Sequence, residues 1–292
     1  MAEFLQLLVA GLATGAIYAL AAMGFTLLWQ TSGTINFAQG EFVVLPAFVM
    51  LAAMKFLGLP LMAAFALTLG VSGVLLGLAF KRLLVDPMLR HGVIPLIIAT
   101  IALGIFMREG LKTFYSAEAQ PFPSALPAGV MTFGDITISR YDIGVLVIVF
   151  ALIVALELFL SRTTTGRSMQ AVAQNPDTAL VLGINVERMI LYTFLINGVL
   201  VTVAALLVTP TYLAKFDNGE ALGLIAFIAA IVGGFNRMRG ALVGGLLIGV
   251  IDNLSGAYLS AQYRGAFPLM LLIVVILFRP QGLLGRPVER TV

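Results

Sequence analysis

The chain has no cysteine and one histidine, His91, which leaves no basis for disulfides, thiol chemistry or imidazole and thiolate metal sites. Charge is scarce as well. Only 11% of the 292 residues are charged and 60% are hydrophobic, whereas soluble domains run near ~25% charged. With a mean hydropathy of +1.05, such a chain cannot cover itself for water. No G-x-x-x-x-G-K-[ST] phosphate loop, no H-E-x-x-H pair and no cysteine cluster is present, so the sequence carries no catalytic set, no metal site and no cofactor-binding motif. Carboxylates within the apolar runs are too few for a proton relay. The net charge of +3 reflects the loops between those runs and predicts no nucleic-acid surface.

What is present is membrane-grade hydrocarbon. Long apolar runs cover 4–29, 42–57, 60–80, 93–107, 143–160, 189–213, 222–235, 240–260 and 266–278. A hydrocarbon core of ~30 Å needs about 20 helical residues. The runs therefore predict an all-α, polytopic bundle of eight or nine spans, some short or broken, forming a single transmembrane domain over 1–292. The run Ile143 to Leu160 shows the magnitude involved. Its 14 Ile, Leu, Val and Phe residues, at about −0.3 to −0.6 kcal/mol each, outweigh Glu157 at about +3 kcal/mol.

With nine spans, segments 81–92, 161–188, 236–239 and 279–292 share one side and carry 11 of the 17 Lys and Arg. The positive-inside rule places them, and the C-terminus, in the cytoplasm. The N-terminus is then outside. The opening Met-Ala-Glu-Phe lacks a basic region, so the first run reads as a retained helix.

Three polar islands interrupt the hydrocarbon. The longest external piece, 108–142, holds Pro121, Pro123 and Pro127 and reads as an ordered or semi-ordered loop. The 161–188 segment carries its own helix punctuation: Asn175 as N-cap, Pro176 at the first helical position, Asp177 in the first turn and Gly183 at a left-handed C-terminus. That predicts a short helix displaying Ala179, Leu180, Leu182 and Ile184 outside the bilayer, a knob shaped for a partner. The segment Gln30 to Glu41 is either a solvated turn or a broken helix entering a polar cavity with Asn36, Gln39 and Glu41. Asp252 and Asn253 lie within the run 240–260, and an ionisable residue at membrane depth is a functional candidate by default. A helix-to-helix hydrogen bond is the alternative. Thr100 and Asn197 are weaker candidates of the same kind, and His91 reads as a surface residue. The pairs Gly11/Gly15, Gly73/Gly77, Gly240/Gly244 and Gly245/Gly249 have the small-xxx-small spacing that lets helices approach in lipid.

The residues resemble one family over nearly the whole chain. Gly15-Ala-Ile-Tyr18-Ala-Leu20 and Gly33-Thr-Ile-Asn36-Phe-Ala-Gln39-Gly40-Glu41 resemble the opening pattern of LivH-type permeases, the membrane subunits of branched-chain amino acid ABC importers. Leu96-Ile-Ile-Ala99-Thr100-Ile101 resembles the family's fourth helix. Thr165-Gly166-Arg167 through Asn175, Ala179 and Gly183-Ile184-Asn185 resembles its cytoplasmic loop. Ala226-Phe227, Gly233-Gly234, Gly240-Ala241 and Gly244-Gly245 with Gly249 resemble its late glycine-rich segment, and Arg279-Pro280-Gln281-Gly282-Leu283 its closing motif. Departures are Gln170 where Arg is usual, Ala102 for Gly, Pro46 for a small residue, Ile225 for Lys and Asp252 for Glu.

The resemblance implies a bacterial inner-membrane importer. It would pair this chain with a second, LivM-like permease, two cytoplasmic ATPases that bind ATP and Mg, and a periplasmic solute-binding protein. Gly166, Arg167, Asn175, Asp177, Ala179, Leu182 and Gly183 would then belong to the ATPase-docking loop. Asn36, Gln39, Glu41, Thr100, Asn197, Asp252 and Asn253 would line the substrate path. Relatives of this type also serve urea, short amides and aromatic acids. A stand-alone secondary transporter or channel is the rival class, and it leaves the 161–188 helix unexplained. Helices five spans apart would run in opposite directions, which allows inverted repeats, although no convincing repeat stands out along the chain.

Overall fold

The computed structural model describes residues 2–134 and 136–285. Arg286, Arg290 and the C-terminus, counted above toward the cytoplasmic charge, lie outside the described residues. Backbone groups in hydrocarbon must be satisfied within their own segment, and the apolar runs are accordingly helical. In order they are α1 (Ala2–Ser32), α2 (Gln39–Leu57), α3 (Leu61–Leu89), α4 (Val93–Phe114), α5 (Arg140–Arg162), α6 (Thr164–Gln174), α7 (Pro176–Val181), α8 (Val186–Tyr212), α9 (Asn218–Gly233), α10 (Met238–Tyr258) and α11 (Ala266–Phe278). Among the described residues, seven helices are long and apolar enough to cross a membrane: α1, α2, α3, α4, α5, α8 and α10. The helices α9 and α11 are shorter apolar elements. The chain is a polytopic membrane helix bundle.

Three departures from the sequence reading have local causes. α4 runs to Phe114 rather than ending near residue 107, because Arg108, Glu109 and Lys112 carry the helix onward with a Lys112–Glu109 pair at 3.5 Å. α3 runs through the expected 81–92 loop to Leu89. Its turns widen over Gly73–Ala79 and Lys81–Val85, and Lys81 is buried against Asp86 at 2.8 Å instead of facing water. The 108–142 segment is not wholly irregular either: β1 (Val130–Phe133) pairs antiparallel with β2 (Ile136–Ser139), Val130 opposite Ser139.

The chain divides into two compact units. One comprises Met1–Thr26, Leu126–Phe150 and Leu224–Val292, the other Leu27–Ala125 and Ala151–Gly223. In the first, α1 and α10 meet backbone to backbone. A Cβ on Gly15 would lie 2.8 Å from the Gly245 carbonyl, and one on Gly11 would lie 2.9 Å from Val250 Cα. The closing motif also finds its role here. Leu283 N donates to Val232 O (2.8 Å) and Leu284 N to Gly233 O (2.9 Å), fastening the segment after α11 to the end of α9.

In the second unit α3 and α8 meet on the same principle, Gly198 facing Gly73 and Gly77 facing Leu195. Small residues at these crossings supply the close approach that holds helices together in lipid. Phe42, Phe80 and Phe194 fill the space between α2, α3 and α8 with tilted and edge-on ring contacts.

Candidate translocation site and docking segment

α1 ends where Gly33 adopts a left-handed φ of 61° and its N–H returns to Trp29 O. The next five residues are not helical until α2 begins at Gln39, yet Thr34, Asn36 and Ala38 are buried. Burial of these three residues fits a broken helix better than a solvated turn. The Phe37 N–H donates to Thr100 Oγ1 at 3.3 Å. Thr100 lies seven residues into α4, which corresponds to about 10 Å along the helix axis. The start of α2 therefore lies within the length of a spanning helix, with irregular backbone satisfied by protein.

Asn36, Gln39, Thr100 and Asn197 come together here. Gln39 Nε2 donates to Asn197 Oδ1 (2.7 Å), while Asn197 Nδ2 and Asn36 Nδ2 donate to Gln39 Oε1 (3.3 and 3.2 Å). Asn36 Oδ1 accepts from the Ala38 N–H (3.0 Å) and so holds the break in shape. Gln39 and Asn197 are fully buried. A network so completely satisfied fixes a unique backbone.

Glu41 projects the other way, past Gly104 of α4 toward Gly219 at the start of α9. It is 7% exposed, and its Oε2 has no hydrogen-bond partner among the described residues. Gly40 of α2 lies against the backbone of Gly219 and Gly223, so α2 and α9 touch without side chains between them. This contact makes a repeat visible that the sequence alone did not disclose. Phe37-Ala38-Gln39-Gly40-Glu41, followed by Leu45, Ala47 and Phe48, matches Phe216-Asp217-Asn218-Gly219-Glu220, followed by Leu224, Ala226 and Phe227, at identical spacing. The second glutamate differs in setting: Glu220 is exposed and pairs with Arg108 Nη1 at 2.9 Å.

Asp252 and Asn253 do not join this group by any contact within either unit. Asp252 lies six residues before the end of α10 rather than at its middle. It is buried, with Arg264 Nε and Nη2 donating to its two oxygens at 2.7 Å each and Tyr18 Oη to Oδ2 at 3.3 Å. Asn253 Nδ2 donates to the Gly249 carbonyl of its own helix (3.1 Å). Tyr18 and Arg264 are the partners that sequence reasoning missed. Tyr18 stood in the opening motif without a role, and Arg264 sat in a short connection.

The 161–188 island contains two helices. α6, unforeseen, is capped by Thr163, whose Oγ1 accepts from the Gly166 N–H (2.9 Å). Gly166 is buried against the backbone of Phe159 and Leu160, so a side chain there would stop α6 folding back on α5. α7 matches its punctuation: Asn175 Oδ1 accepts from the Thr178 N–H (2.9 Å), Pro176 opens the helix and Gly183 ends it at φ 78°. The knob itself is Leu180, Val181 and Leu182, at 64%, 86% and 71% exposure. Ala179 is turned inward and Ile184 is half-buried, while Arg167, Asn175 and Asp177 are exposed. Asn185 caps α8 through the Arg188 N–H (2.9 Å). A cleft of about 1110 Å³ lies behind α7, lined by Gln30 and Ser32 at the end of α1, Lys81 and Asp86 of α3, and Leu180 and Ile184.

The model of a family described as branched-chain amino acid transport system, permease component, matches residues 7–276. The high-affinity branched-chain amino acid transport system permease protein BraD of Pseudomonas aeruginosa is 37% identical, over 98% of this chain and 97% of its own. The corresponding LivH of Escherichia coli K12 is 31% identical over 97% and 96%. A probable branched-chain amino acid transport permease, LivH of Methanocaldococcus jannaschii, is 29% identical over 91% and 88%. No solved structure matches the chain at a meaningful level. The chain belongs to the family of permease components of branched-chain amino acid ABC transport systems, as a non-catalytic transport subunit.

Proposed function

We infer that this chain forms, with a second LivM-like permease, the path by which branched-chain amino acids enter a bacterial cell. ATP and Mg reside on two cytoplasmic ATPases, and a periplasmic binding protein delivers the solute. The observation that carries this reading is the paired starts of α2 and α9, broken helices with one shared motif that meet glycine to glycine. Two copies of one motif, five spans apart, support inverted repeats within one transmembrane domain, with the path at their interface. On this reading α9 (16 residues) and α11 (13 residues), about 24 and 20 Å long, complete nine crossings with the help of neighbouring loops. Substrate preference follows the relatives matched over their full length, with urea, short amides and aromatic acids as the alternatives.

The exposed tip Leu180-Val181-Leu182 suits an apolar groove on an ATPase. The cleft behind it joins α7 to the end of α1, a few residues before the break. Movement imposed on α7 by ATPase closure would reach α2 by that route, provided ATP binds the two conformations with different free energies. Asn36, Gln39, Thr100 and Asn197 hold the α2 start in place, while Asp252 and Asn253 are proposed to face the path when the bundle reopens.

Leu182→Asp tests the reading. A carboxylate forced into an apolar pocket costs on the order of 2–5 kcal/mol, so purified complexes should lose their ATPases while the permease still inserts. Normal assembly and transport would overturn the docking assignment. Orientation has its own check, made simple by the absence of native cysteine. A cysteine at Ser168 should label only from the cytoplasm and one at Ser124 only from outside; labelling from a shared side would refute the nine-span topology.

A further inference from the structure

A carboxylate buried in a membrane protein normally has a cation or several donors, because an isolated buried charge is costly. Asp252 follows that rule through Arg264 and Tyr18. Glu41 does not. It is 7% exposed, its Oε2 has no hydrogen-bond partner among the described residues, and Gly104 and Gly219 lie beside it. A Cβ on Gly219 would fall 2.6 Å from Oε2, so the absence of a side chain there is what leaves room beside the carboxylate. The charged groups acting on Glu41 are Arg108, Glu220 and Asp217. Two of these are acidic, and the one cation is engaged by Glu220 at 2.9 Å and Glu109 at 3.8 Å. Acidic groups therefore outnumber cations around Glu41, and on the Gly219 side backbone borders the carboxylate.

We propose that the Glu41 carboxylate receives the ammonium group of the transported amino acid as it passes the start of α2. This rests on the functional reading above and adds the end of the substrate that is recognised inside the membrane. An α-amino acid brings its own compact cation with three donors, the complement that Glu41 lacks. Access follows from the seam between α2 and α9. Gly40 against Gly219 and Gly223 has no interlocked side chains to withdraw, so a small displacement of α9 uncovers Glu41. The match is transient by construction: when the seam closes, the site is too small for a ligand and the substrate is released. Glu220, at the equivalent place in the repeat, is exposed and already paired, and it takes no part.

The test uses the complete importer in proteoliposomes with its binding protein and labelled leucine, comparing wild type with Glu41→Gln, Glu41→Asp and Glu220→Gln. Thermal midpoint and retained ATPase subunits are read on the same samples. Removing a charge-assisted contact should lower uptake roughly tenfold or more in Glu41→Gln, with assembly intact and the thermal midpoint raised. Glu41→Asp should keep a measurable part of the uptake, and Glu220→Gln should stay within about twofold. Uptake by Glu41→Gln within about twofold of wild type overturns the inference, as does equal loss in Glu41→Asp and Glu41→Gln, which would mark a role of shape. A wild-type complex that moves no leucine removes the functional reading and this inference together.

Discussion

The starts of α2 and α9 carry the same signature, an aromatic residue two positions before Gln or Asn, then Gly-Glu, yet their glutamates meet opposite fates. Glu41 is buried with an oxygen that has no hydrogen-bond partner among the described residues, whereas Glu220 is 78% exposed in its side chain and paired with Arg108. The amides differ too. Gln39 is locked into the Asn36–Asn197 network, while Asn218 Nδ2 donates to the nearby Leu213 carbonyl at 2.9 Å. A repeat sets where backbone can break and where helices can touch. Which copy becomes a site is decided by the neighbours it acquires. Stability would favour treating both glutamates as Glu220 is treated, so an unpaired buried carboxylate is the kind of cost that function explains.

The comparison can be broken at its shared glycine. Gly40→Ala would place a methyl group into the backbone of Gly219, where no side chain can yield. Overpacking of this kind costs about 3 kcal/mol, visible as a lower thermal midpoint; an unchanged midpoint would mean the seam is open. The glutamates sharpen it. Glu41→Gln removes a buried carboxyl with an unpartnered oxygen and should stabilise the detergent-solubilised protein by about 1–2 kcal/mol. Glu220→Gln should change it by less than about 0.5 kcal/mol. Destabilisation by Glu41→Gln would reveal a partner for that carboxylate. A similarly small effect is expected at Arg108→Gln, whose partner is exposed, below about 0.5 kcal/mol and diminishing with salt. A larger, salt-independent loss would mean that Arg108 reaches Glu41.

Much of this molecule was legible because it is local. Hydrocarbon runs located the helices, and Asn175, Pro176 and Gly183 marked α7, since caps act within a few residues. What stayed hidden depends on distant partners. α6 needs Gly166 to fit against Phe159 and Leu160, and its polar sequence gave no apolar run to read. The extension of α4 past residue 107 rests on side-chain charges that resemble a loop. The hairpin at Val130 to Ser139 had its turn signal in Gly134, but among prolines it was passed over. Asp252 stands out in the sequence as a costly group, yet its partners, Tyr18 and Arg264, come from the chain's start and from a connection that carries no pattern. The repeat of Gln39-Gly40-Glu41 in Asn218-Gly219-Glu220 is too short to stand out until the two glycines are seen in contact.

As a branched-chain amino acid permease component, this chain should supply the membrane path of an ABC importer. Uptake of labelled leucine into proteoliposomes holding the complete complex, with ATP enclosed and binding protein outside, tests it most directly. Accumulation should require ATP, the binding protein and this chain together, and unlabelled isoleucine or valine should suppress it. Leucine entry that persists without ATP, or a fully assembled complex that moves no branched-chain amino acid, would contradict it.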